Sequence, residues 1–297
     1  MGSFFGHALP GTFFILFASW WCVQVFRRFY QSLQTRTGSG PFLSSVTFPI
    51  RTRRGWVDIE AYFTVIAVAL GMFVELVCAP IKNGKLYMGN VQHGTMYFFF
   101  GMTSLFALVL RRIKVISDPD GLVYICLFMA YTAEGLLFKF HLFGREGLDV
   151  QLHTLLVYTI FASSLITLFE YKYRNNVLLP LSRAFLTCLQ GTWFWQAAFI
   201  LYPPFSDPWG SNSGHGHHES ATEEPHEKHD HNLLMFVTCV YTWHAAVIFL
   251  VMLVVGIVIG KYYQRHGGID EVALQRGTSG DHGQNGYAVL DTRTDDI

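Results

Sequence analysis

GLVYICLFMAYTAEGLLFKF, residues 121–140, is a nearly unbroken apolar run with one carboxylate, Glu134, set inside it. At 1.5 Å per residue a helix of that length crosses about 30 Å of hydrocarbon. A carboxylate there costs roughly 2.5–3.5 kcal/mol on insertion scales, so it pairs or serves a function. Both statements extend along the chain. Apolar stretches at about 8–26, 59–79, 91–110, 152–169, 184–202 and 234–259 repeat the length. Several carry an isolated His or Glu.

Composition agrees. Of 297 residues, 51% are hydrophobic and only 14% charged, against about 25% charged in soluble domains. The spans are read as helices, because a helix satisfies its own backbone in lipid. The alternating period of a membrane β-barrel is absent. The expected fold is all-α, a seven-transmembrane-helix bundle over residues 1–264. Net charge is zero, which gives no argument for nucleic acid; the expected partner is the lipid bilayer. All five cysteines fall within spans, so no disulfide framework is expected.

Lys and Arg orient the bundle. The 27–57, 111–119 and 170–183 loops and the tail after 260 hold sixteen of them, and the other side five. The N-terminus is therefore expected to be lumenal or extracellular and the C-terminus cytosolic. Odd-numbered helices then run inward and even-numbered ones outward. His7, His93 and His153 fall near the lumenal mouths of the first, third and fifth spans. Glu75 lies roughly 6 Å and Glu134 roughly 10 Å below the lumenal ends of the second and fourth. His141 follows Glu134 by seven residues, within about 20° of the same helix face. His244 lies deepest, near the midplane of the seventh span.

These seven residues form a candidate buried polar pocket. Neutral imidazole and carboxylate are zinc ligands, which makes His93, His141, His153 and Glu134 a candidate metal set. The same residue types also build proton or cation paths. Near an interface, histidines can equally bond headgroups or loop carbonyls. Glu75 and Glu134 are the costly members, since each needs a partner or a proton at its depth. No catalytic residue is assigned. Gln190, Trp193, Trp195 and Gln196 of the sixth span, and Tyr241 and Trp243 of the seventh, read as packing and anchoring positions.

Two segments read as outside the folded core. Residues 205–231 form a lumenal loop crowded with His and acidic side chains, able to gather metal weakly. Residues 265–297 read as a disordered cytosolic tail. Within it Tyr287-Ala-Val-Leu290 fits a Tyr-X-X-hydrophobic sorting signal, which a clathrin adaptor would bind in extended form.

Several stretches resemble the transmembrane protein 45 family. They are Gly6-His7-Ala8-Leu9-Pro10-Gly11-Thr12-Phe13-Phe14, Thr95 to Gly101, Gly144-Arg145-Glu146 with Leu148-Asp149, Arg174 to Leu179, Leu189-Gln190-Gly191 and Leu201-Tyr202-Pro203-Pro204. The resemblance implies a multi-pass protein of Golgi, endosomal or cell-surface membranes, without an established activity. It places His7, Glu75, His93, Glu134, His141, His153 and His244 on motif positions. Gln92 and Phe143 stand where it would place further histidines, and the histidine loop looks like an addition. Three functions stay open. The first is a non-enzymatic membrane interaction or trafficking factor. The others are a membrane-embedded zinc-dependent lipid hydrolase and a proton- or cation-linked transporter. No Gly/Pro-interrupted pair of spans marks a transport site.

Overall fold

A computed structural model describes residues 4–34, 40–53, 55–78, 87–113, 119–145, 147–203 and 226–267. Its elements in chain order are α1 (Phe4–Ser32), β1 (Ile50–Thr52), β2 (Gly55–Val57), α2 (Ile59–Leu76), α3 (Met88–Ile113), α4 (Pro119–His141), α5 (Gly147–Lys172), α6 (Leu178–Leu201) and α7 (His226–Gly267). Among the described residues, seven helices are long and apolar enough to cross a membrane. Each coincides with an expected span, and most overrun it.

The overruns have local causes. Apolar length sets the span, but a helix continues until a cap or a breaker stops it. Asp58 starts α2 by accepting from the Ala61 amide at 3.2 Å, an N-cap bond that satisfies an otherwise unpaired donor. Pro119 opens α4, where its missing N–H costs nothing. Arg111 and Arg112 end α3, favourably placed for the helix dipole. α7 begins inside the segment read as the histidine loop and runs into the segment read as tail, so 226–231 and 265–267 are helical. The remainder of both segments, including Tyr287 and Leu290, lies outside the described residues.

Contacts prove that successive helices alternate in direction. At one end the start of α1 meets the start of α5, through His7 and His153. The end of α2 meets the start of α3, through Glu75 and His93. At the other end Arg111 of α3 pairs with Asp58 before α2 at 3.0 Å, and Tyr30 of α1 bonds the Gly256 carbonyl of α7. α1 packs along α6, α6 along α5, α5 along α4, α4 along α3 and α3 along α2, while α7 lies across α1, α5 and α6. The best-buried core joins α4, α5 and α6 around Phe138, Leu152, Ile160, Trp193 and Phe194.

Lipid tails are as apolar as leucine, so helix association rests on close packing and polar bonds. The closest packing is the α1–α6 crossing. A Cβ built on Gly11 would stand 2.8 Å from the Gly191 carbonyl oxygen, and one on Gly191 2.8 Å from that of Gly11. Only glycine lets those backbones meet.

The basic loop after α1 is partly a structural piece. Ser44, Ser45, Val46, Thr47 and Phe48 are buried, tucked into the end of the bundle opposite His7. The Arg174 guanidinium donates to the Ser44 carbonyl at 3.1 Å, Arg183 donates to that of Ser45, and Arg111 donates to the Thr47 hydroxyl. A short antiparallel hairpin, β1 with β2, follows. Its tight turn uses Gly55 at φ +121°, a conformation open mainly to glycine.

Candidate functional site: a polar chamber at one end of the bundle

Six of the seven candidate pocket residues line one chamber: His7, Glu75, His93, Glu134, His141 and His153. Alternating helices bring them together, because odd helices begin and even helices end at that level. Aromatic and apolar side chains, among them Phe14, Met96, Phe100, Phe138 and Phe194, complete the wall. The space open to the centres of water-sized molecules is about 50 Å³, where one water needs roughly 10–15 Å³. A few waters or one small polar group fit.

His244 is elsewhere. Its ring stands edge-on to Trp193, 5.5 Å between centroids, and its Nδ1 is buried without a partner among the described residues. The expectation that it shares the pocket is corrected. It lies far along α7 from the end where the other six gather.

The hydrogen bonds assign the tautomers. Gln92 Oε1 can only accept, so His141 Nδ1–H donates to it at 2.8 Å. Arg145 Nη2 can only donate, and it donates to His141 Nε2 at 2.6 Å. Both nitrogens of this ring are used. His153 Nδ1–H donates to Asp149, at 2.8 Å from its carbonyl oxygen and from Oδ1. Its Nε2 faces His7 Nε2 at 3.4 Å, and when the His153 ring is neutral His7 is the donor in that pair. Arg145 completes the cluster through Nη1 alone, which donates to both Asp149 carboxylate oxygens at 2.7 and 2.8 Å.

The carboxylates differ. Glu75 is held on both oxygens, by His93 Nδ1 at 3.2 Å and Asn90 Nδ2 at 2.6 Å. Glu134 is 2% exposed. Gln190 Nε2 donates to its Oε1 at 2.6 Å, and its Oε2 has no partner among the described residues. A buried oxygen left this way costs about 1–3 kcal/mol, and the Oε1 of the adjoining Gln190 is likewise without a partner among the described residues, so the Glu134–Gln190 pair is where hydrogen bonding at the chamber is incomplete.

These bonds also bear on the zinc set. His93, His141, His153 and Glu134 do face one chamber. Yet among the described residues no three His, Cys, Asp or Glu side chains form a group that could hold a metal ion. The physical reason is visible in His141, whose ring nitrogens both already serve protein partners, and in His153, whose remaining nitrogen meets His7.

Several polar residues escaped the sequence reading. Gln190, read as a packing position, is the partner of Glu134. At the opposite end Glu170 and Arg183, both fully buried, form an ion pair at 2.7 Å. Tyr124 donates to the same carboxylate at 2.7 Å, and the guanidinium lies 4.4 Å from the Trp21 ring centroid. Glu60 accepts from Trp20, Trp21 and the Phe48 amide. In sequence these charges sit near span ends, where they read as loop residues. The signal that could have found them is the apolar Phe42-Leu43 and Val46-Thr47-Phe48 within an otherwise basic loop, a sign that this loop turns inward.

Residues 120–256 match a family of unknown function (DUF716). The chain is 26% identical to transmembrane epididymal protein 1A of Mus musculus, over 85% of this chain and 79% of the relative. It is 25% identical to transmembrane epididymal protein 1 of Rattus norvegicus, with the same shares covered. Against transmembrane epididymal protein 1 of Homo sapiens it is 23% identical, over 64% of this chain and 63% of that one. These relatives replace the assignment to the transmembrane protein 45 family. The short stretches that suggested it do not single out that family. The chain is similar to transmembrane proteins, and its own seven apolar helices make it an integral membrane protein.

Proposed function

We propose that this is a non-enzymatic membrane protein, an interaction or trafficking factor that works by binding in the lumenal His/Glu chamber. The supporting observation is Glu134. The chamber's other polar groups are largely bonded to one another, whereas this buried carboxyl keeps one oxygen, and the adjoining Gln190 its Oε1, without a partner among the described residues. A preformed cavity with a few polar groups left to bond is the usual form of a small-molecule site. The lumenal assignment of that end follows from the Lys and Arg excess at the other. Traffic among Golgi, endosomal and plasma membranes fits the Tyr287–Leu290 signal, with a clathrin adaptor as the tail's partner.

The test is thermal unfolding of the purified full chain in detergent, with and without a total membrane extract. A ligand that binds only the folded state raises the midpoint. The extract should raise it, Glu134→Leu should abolish the shift, and the extract's lipids should be chemically unchanged afterwards. Equal shifts in wild type and variant, or hydrolysis products in the extract, would overturn the reading.

A further inference from the structure

A second cavity opens beside the chamber. It is a cleft between α1 and the α2–α3 pair, walled by aromatic and aliphatic side chains. The two spaces share Pro10, Phe14, Tyr97 and Phe100 in their walls, so they lie side by side with these side chains between them. Tyr97 is positioned at the junction by Gly71, where a Cβ would lie 2.6 Å from its ring. α1 packs its backbone against α6 and α7. It reaches α2 and α3 through rings: Phe17 to Phe63 at 5.6 Å and Phe14 to Phe100 at 5.5 Å. Phe13, Phe17, Thr64 and Val68 along this wall are only half-buried, which leaves the cleft reachable from the bilayer.

We propose that chamber and cleft together bind one single-chain amphiphile, its hydrogen-bond-donating head on Glu134 in the chamber and its chain in the α1–α2–α3 cleft. This rests on the binding role proposed above and names the ligand class. The orientation follows from the two carboxylates. Glu60, at the far end of the cleft, already takes three donors from Trp20, Trp21 and Phe48. Glu134 lacks one. A donor head is therefore wanted at the chamber and not at the floor.

Size agrees. From Pro10 to Trp21 the cleft runs along α1 for about 16 Å at 1.5 Å per residue, against about 15 Å for the chains of one leaflet. The space open to the centres of water-sized molecules is about 80 Å³ in the cleft and 50 Å³ in the chamber, room for a slender chain and a small head. The required head is a neutral hydroxyl, which both donates and accepts. An anionic head would face Glu75 and Glu134, and a head without donors would leave Gln190 Oε1 unmet.

The test uses the full chain in lipid nanodiscs and a 1-monoacylglycerol carrying a mid-chain diazirine and a terminal alkyne. Irradiation should label α1, α2 and α3 along the cleft. Glu134→Leu should cut labelling about tenfold, the scale of one buried hydrogen bond, and so should Ala67→Phe, which fills the cleft. Thr64→Phe serves as a second filler on the half-buried wall if Ala67→Phe does not fold. The methyl ester of the same labelled chain, which has no donor, should label at least about fivefold less. Equal labelling by ester and glyceride, or labelling indifferent to both substitutions, would overturn the proposal. The thermal-shift experiment separates the two readings. If Glu134→Leu abolishes the extract's effect while both fillers keep it, the chamber binds a ligand without a chain. The amphiphile then fails and the binding role stands. If no substitution matters, both fail.

Discussion

Arg183 shows what one side chain contributes here. It is fully buried, donates to Glu170 through Nε and Nη2 at 2.7 and 3.4 Å, and donates to the Ser45 carbonyl. Removing one member of such a pair strands the other, at a cost of about 3–5 kcal/mol. Arg183→Met should therefore destabilise the protein by about that amount in reversible denaturant unfolding in mixed micelles. Glu170→Leu added to it should recover part of the loss, because no uncompensated charge remains. Strictly additive costs would show that the two do not act as a pair. A smaller effect belongs to Gln190→Leu, about 1–3 kcal/mol in the same assay, since Glu134 would then lose its described partner. The sequence disclosed such residues unevenly. His7, Glu75, His93, Glu134, His141 and His153 were legible because an isolated ionisable group in an apolar run is conspicuous and alternation puts them at one end. Gln190 was not, because an amide in a span is read as glue between helices. His244 misled because depth and residue type say nothing of which neighbour a side chain meets, and it meets Trp193.

Among the elements, the helices were readable and their boundaries were not. An apolar run fixes the span, whereas Asp58 or Pro119 fixes the end, and α7 outran its apolar stretch at both ends. Which helices touch was not legible, as the α1–α6 crossing illustrates. Gly11 and Gly191 are far apart in sequence, and nothing local pairs them. Gly191→Val should disturb this crossing, since its Cβ would stand 2.8 Å from the Gly11 oxygen and backbone cannot give way cheaply. A loss of about 1–3 kcal/mol is expected for such overpacking, read as a lowered unfolding midpoint. Gly135→Ala should be milder, because its new Cβ meets the Phe161 ring at 3.0 Å, a side chain that can shift. The inward-turned 44–48 segment was missed because its flanking arginines mark it as a cytosolic loop. Several arginines also clamp it from neighbouring helices. Arg174→Ala removes two donors from the Ser44 carbonyl. Amide exchange across 44–48 should then accelerate about tenfold by mass spectrometry, with α4 and α5 unchanged. Uniform acceleration across the bundle would mean that the segment is not an independent piece.

At the scale of the whole molecule, polar groups gather at both ends of an apolar bundle. One end carries the chamber, and the other carries the Glu170–Arg183 pair and the arginine-clamped 44–48 segment. Asymmetry of charge decides which end faces the cytosol. Sixteen Lys and Arg fall on the side of the 44–48 segment and five on the side of the chamber. Arg183 is buried and paired, so it is discounted as a free flanking charge, and the count becomes fifteen to five. The bias survives, and it is the ground for expecting the chamber in the lumen or outside. α7 spans 42 residues, roughly 63 Å at 1.5 Å per residue, about twice the hydrocarbon thickness. Its ends therefore project into water. The native sequence has no Asn-X-Ser/Thr acceptor, so a single engineered one reports topology without background. An acceptor inserted between 205 and 225 should be glycosylated in cells, seen as a mobility shift removed by glycosidase. One inserted between 268 and 297 should not. The reverse pattern would invert the bundle and turn the chamber to the cytosol. Modification at both sites would mean that α7 does not cross the membrane.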